Sequence, residues 1–121
     1  MTTVETRRVG ASPVGDPDTL DIVGVRDDGG LDLVISAVAA LDDSPSTLAA
    51  VAQKVRNYVI AGQSEAMLRY YDREPGACVS IYISCAFPIA AAAQELIDRL
   101  REEALQTGIG LEVRSHMGDM H

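Results

Sequence analysis

The chain has 121 residues, 18 of them acidic and 10 basic, for a net charge of −8 at pH 7. One core is the expectation at this length, and the acidic excess opposes attraction to nucleic-acid phosphates or anionic membrane surfaces. Apolar residues make up 47%, with one Phe, four Tyr and no Trp, so the core to be built is aliphatic.

Residues 1–18 contain Gly10, Ser12, Pro13, Gly15 and Pro17 without a periodic apolar pattern. They read as a flexible N-terminal arm ahead of a single domain over 19–114. Arg7 and Arg8 are not followed by the apolar stretch of a secretory signal, and no apolar run reaches the ~18 residues of a membrane span.

From Thr19 the pattern is extended, with Leu20 and Ile22 sharing one face and Asp21 and Val23 the other. Asp27-Asp28-Gly29-Gly30 supplies turn chemistry, and Leu31 to Val38 resumes the extended pattern, so the two runs form an antiparallel hairpin. Ser44-Pro45 marks a helix start before the apolar stripe Leu48, Val51, Val55, Tyr58 and Val59, giving a helix over Ser46 to Ala61 with Gly62 as a left-handed cap. The segment Gln63 to Gly76 has mixed signals and is left unassigned.

Val79, Ile81 and Ile83 alternate with Ser80, Tyr82 and Ser84, the pattern of a half-buried strand. Phe87-Pro88 closes the connection and puts proline at the start of a helix over Ile89 to Thr107, whose apolar face runs through Ala93, Leu96, Ile97, Leu100 and Ala104. Gly108 caps it, and Gly110 to Arg114 forms a last strand, leaving residues 115–121 as a flexible tail. The expected fold is α+β, a two-layer α/β sandwich ordered β-β-α-β-α-β. Its four-stranded mixed sheet carries two helices on one face, because each helix has a single apolar side.

Chemistry is sparse. His116 and His121 both fall in the tail, which supplies no general base beside a nucleophile. Asp42-Asp43 and Glu102-Glu103 are adjacent in sequence and diverge on a helix, Asp27 to Gly30 lacks the spacing of a calcium loop, and no glycine motif opens a helix to cradle phosphate. No catalytic residue, metal site or cofactor is assigned. Cys78 and Cys85 bracket a strand whose ~23 Å span exceeds a disulfide's reach, so both are read as free thiols, which suits a cytoplasmic protein. Lys54 and Arg56 are read as basic stems covering a helix flank.

Two surfaces are left as binding candidates. If Val79, Ile81 and Ile83 face the helices, Ser80, Tyr82 and Ser84 face outwards with Glu112 and Arg114, and with Asp32 and Ser36 as further candidates. Tyr and Arg are favoured contact anchors. The second is Tyr70, Tyr71, Asp72, Arg73 and Glu74, a dense polar cluster in a loop.

Lys54-Val55-Arg56-Asn57-Tyr58, Gly62, Tyr71, Pro75, the strand Val79 to Ser84, Phe87-Pro88 and the closing helix, Gly108 and strand together resemble a family of small bacterial proteins of unknown function. The resemblance covers about Leu20 to Val113. Lys54, Tyr58 and Gly62 match the family's first helix and Pro88 the proline before its second, while Leu41-Asp42-Asp43 lacks the family's aromatic. It implies the β-β-α-β-α-β pattern and a bacterial cytoplasmic setting, and it carries no activity and no catalytic residues.

The expected function is a non-enzymatic domain that binds a protein partner or forms a homodimer, with neither nucleic acid nor membrane as target. A small acidic immunity or inhibitor-type protein is one form of it, since negative charge steers association with a basic partner. The alternative is a small-ligand-binding protein or enzyme with a pocket near the Tyr70-Tyr71 loop.

Overall fold

The computed structural model describes residues 12–114. In chain order the elements are β1 (Ile22–Val25), β2 (Leu31–Ser36), α1 (Pro45–Gly62), α2 (Glu65–Tyr70), β3 (Val79–Ser84), α3 (Ala91–Leu105) and β4 (Gly110–Arg114). The strands lie side by side in the order β1-β2-β3-β4. β1 and β2 are antiparallel, and β2, β3 and β4 run parallel. The expected α+β fold with a four-stranded mixed sheet is therefore present, with α2 added.

Period-two alternation builds one layer of the core. Leu31, Leu33 and Ile35 of β2, Val79, Ile81 and Ile83 of β3 and Leu111 of β4 are all buried. Val51, Val55 and Tyr58 of α1 and Ala93, Ile97, Leu100 and Ala104 of α3 form the other layer. Each large aliphatic side chain so buried contributes about 1.5–3 kcal/mol. Two helices on one face leave the opposite face of the sheet without a covering element among the described residues.

The helix ends depart from expectation in two places. Ser44 caps α1 as its hydroxyl accepts from Thr47 N at 3.2 Å, but Gly62 is the last helical residue and is buried, so it is no left-handed cap. Pro88 does not open α3. Leu41 N donates to Pro88 O at 3.0 Å and Ala90 N to Leu41 O at 2.8 Å, so the β2–β3 ladder resumes beyond both loops and delays the helix to Ala91. Within Gln63 to Gly76, α2 is capped by Ser64, whose hydroxyl accepts from Met67 N. Gly108, at φ 84°, ends the α3 turn as expected.

Residues 12–18, which carry no periodic pattern, form a strap docked on the core. Val14 is 2% exposed, and Val38 N donates to Pro13 O at 2.8 Å. Lys54 holds the strap. Far from covering a helix flank, it is fully buried, donates to the carbonyls of Asp16 and Thr19, and pairs with Asp21 Oδ1 at 3.0 Å. An ammonium is buried at tolerable cost only when its donors are satisfied, and here the strap supplies the acceptors. Asn57 Nδ2 donates to Pro17 O at 2.9 Å, and Asp21 N donates to the Tyr58 hydroxyl at 2.7 Å. The rest of the expected arm, residues 1–11, and the expected tail with His116 and His121 lie outside the described residues.

Candidate functional site

Strand register decides what the open face displays. The rows across it are Gly24, Asp32, Ser80 and Gly110; Ile22, Val34, Tyr82 and Glu112; and Ser36, Ser84 and Arg114. Ser80, Tyr82, Ser84 and Arg114 thus share one surface. The middle row is apolar over three strands, with Ile22 53% exposed at its edge. Arg114 lies over the Tyr82 ring, its guanidinium carbon 3.7 Å from the centroid, a contact that fixes both side chains.

At the other end of the face, Arg26 reaches from the β1–β2 turn to Asp32 and donates to Asp28 Oδ1 at 3.2 Å. The Gly30 amide at 2.8 Å and the Arg26 guanidinium hold the Asp28 carboxyl below the usual range. Val34, Ile22 and Arg26 were not picked out from the sequence. The alternation that buries Leu31, Leu33 and Ile35 already turns Val34 outwards, whereas the Arg26 contacts depend on the turn.

The Tyr70 to Glu74 cluster is a separate structure. Tyr70 ends α2 and is 80% exposed, while Tyr71 caps the helix and packs partly on the core. Their rings meet edge to face at 4.9 Å. Arg73 Nη1 donates to the carbonyls of Arg26 at 2.9 Å and Gly30 at 3.3 Å. Its guanidinium therefore clasps the β1–β2 turn to the loop before β3. Tyr70, Tyr71 and Arg73 are not brought together with the Tyr82 surface.

A recess of about 620 Å³ does lie beside this loop, lined by Glu65, Arg69, Asp72, Arg73, Glu74 and Pro75. Tyr70 and Tyr71 are not in its lining, and every lining residue except Arg73 is solvent-exposed. Binding pockets are more often apolar with a few convergent polar groups. Among the described residues no group of three or more His, Cys, Asp or Glu is placed to hold a metal ion. Both cysteines are free, Cys78 exposed and Cys85 buried with its thiol 3.3 Å from the Phe87 carbonyl. No helix among the described residues is long and apolar enough to cross a membrane.

These features define the class: a small two-layer α+β domain with one sheet face closed by helices and the other open. Residues 12–117 match the model of DUF6572, a family of unknown function, and the chain belongs to that family. No curated protein and no solved structure matches the chain.

Proposed function

We propose that the protein is a non-enzymatic interaction domain that offers its open sheet face to a protein partner or to a second copy of itself. The observation that carries this reading is the row Ile22, Val34 and Tyr82, apolar across three strands and uncovered by any described element, with Arg114 fixed over Tyr82. Aromatic and Arg anchors at the centre of a patch, rimmed by small polar residues such as Ser80, are the usual composition of a contact surface. The acidic charge of the chain favours a basic protein partner, in the manner of an immunity or inhibitor-type protein, over nucleic acid. Two free thiols favour a cytoplasmic setting, and the resemblance to small bacterial proteins favours a bacterial one. The rival reading, a ligand or catalytic pocket at the Tyr70-Tyr71 loop, has less support, because the recess there is open and Arg73 is spent on backbone carbonyls.

The test is a Tyr82→Asp variant compared with the parent in quantitative capture of protein partners and in mass by light scattering. The expected outcome is loss of the contact with the circular dichroism spectrum unchanged. Equal capture and equal mass for parent and variant would remove the face from consideration.

A further inference from the structure

The two edges of the sheet are treated differently. In β4, the Arg114 carbonyl accepts from Cys85 N at 2.9 Å and so faces β3. Backbone direction alternates along a strand, so the groups of Leu111 and Val113 point away from the sheet. The outward carbonyl of Leu111 is already taken by Arg101 Nε at 3.0 Å, and Glu112 and Arg114 add charge. This edge is guarded in the way natural sheets avoid pairing with strangers.

Among the described residues β1 has no such guard. Arg26 N donates to Gly30 O at 3.1 Å, so with the register Ile22 to Val34 and Gly24 to Asp32 these residues address β2. The backbone groups of Val23 and Val25 therefore point outwards. The strand Ile22-Val23-Gly24-Val25 contains neither charge nor proline, and its Ile22 and Val25 are 53% and 52% exposed on opposite faces. A bare edge with apolar side chains on both faces is a template for another strand.

Building on the interaction-domain reading, we infer that two copies of the chain join antiparallel through their β1 edges, turning two four-stranded sheets into one eight-stranded sheet. A two-fold axis at Gly24 sets Val23 of each copy opposite Val25 of the other and closes about four backbone hydrogen bonds. It also places Ile22 of each copy beside the Arg26 stem of the other. An uncharged strand has nothing with which to select a foreign sequence, yet it is complementary to itself. Joining two edges doubles the continuous open face. The acidic turn Asp27-Asp28 of one copy then lies toward the acidic strap of the other, so screening by salt strengthens the pairing, whereas salt weakens capture of a basic partner.

Sedimentation equilibrium of the full chain over a concentration series, at low and high salt, tests the inference. The expected mass is twice the 12.9 kDa of the chain, with tighter association at high salt. Val25→Pro removes an outward N–H together with the valine side chain, and Val25→Lys places a charge on the edge while keeping that N–H. Both are expected to sediment as the single chain with the parent's far-ultraviolet spectrum, and Val25→Lys decides the matter if the proline variant misfolds. Because pairing through β1 leaves the open face for another protein, Tyr82→Asp is expected to lose partner capture yet to remain a dimer. A parent that stays at the single-chain mass at every concentration, or a Val25→Lys dimer as stable as the parent's, overturns the edge pairing. So does a dimer lost in Tyr82→Asp but kept in Val25→Lys, which puts the contact on the face instead. A monomeric parent that still loses partner capture in Tyr82→Asp sinks the dimer and leaves the interaction-domain reading standing.

Discussion

Tyr58 shows how much one side chain can be asked to hold. It is 1% exposed, and its hydroxyl accepts from Asp21 N while lying 3.3 Å from the Val34 carbonyl and 3.4 Å from that of Thr19. Burial pushes its ionisation up to about 12 from an ordinary 10.0. The raised value fixes the sign of the pH effect. Below pH 10 the phenol is neutral whether folded or unfolded and its contribution is complete; above it the unfolded chain releases the proton first and stability falls. The predicted loss is roughly 1.4 kcal/mol per pH unit between the two values. Urea midpoints measured from pH 9 towards pH 12 should therefore fall more steeply for the parent than for Tyr58→Phe, which starts less stable because the Asp21 amide loses its acceptor. Parallel slopes would mean that the phenol is not held in the way described. The sequence places Tyr58 on the apolar stripe of α1 and so foretells its burial. Its polar partners lie 24 to 39 residues away, beyond anything local spacing can reveal.

Among the elements, the C-terminal turn of α1 is where local reading and packing disagree most. Gly62 resembles a cap by position, but it sits in the helix where a Cβ would come within 3.0 Å of Ile109 Cδ1 and 3.1 Å of Val79 Cγ1. The helix can approach β3 this closely because the side chain is missing. Replacing glycine by alanine inside a helix gains up to ~1 kcal/mol of propensity, whereas overfilling a packed site costs about 1–3 kcal/mol. Gly62→Ala is expected to destabilise by about 1 kcal/mol, and Ile109→Val, which removes the crowding Cδ1, should make the change less costly than in the parent. A Gly62→Ala chain with a raised thermal midpoint would show that the contact relaxes freely. Strands are more legible than this turn. Alternation gives β3 residue for residue, and with it Ser80, Tyr82 and Ser84 on the open face. α2 is harder, because six residues are too few to display a helical period, and the start of α3 is shifted by the Leu41 to Ile89 bridge, a pairing between segments 48 residues apart in the chain.

For the molecule as a whole, the strap joins the two layers through a single cation. Lys54 belongs to α1, Asp21 leads into β1, Asp16 lies in the strap, and Thr19 lies between strap and sheet. The sequence shows a basic residue beside an apolar stripe and a proline- and glycine-rich lead-in, and each is by itself more often peripheral. Only their meeting in space makes either of them core. A chain beginning at Thr19 is therefore expected to be less stable than one beginning at Ser12. The first loses the buried Val14 side chain, worth about 1.5–3 kcal/mol, and one hydrogen bond to a charged group, worth about 1.5–3 kcal/mol. Against a total stability of about 5–15 kcal/mol for a domain of this kind, that is a large share, and the urea midpoint should drop accordingly. Lys54→Met separates packing from charge. In the chain from Ser12 it strands the Asp16 and Thr19 carbonyls and the Asp21 carboxylate and should be strongly destabilising. In the chain from Thr19 part of that network is already gone, so the same substitution should cost less, the signature of two groups acting as one unit. Equal costs in the two chains would mean that the ammonium and the strap contribute independently, and the strap would then be held by Val14 and the Val38 to Pro13 hydrogen bond instead.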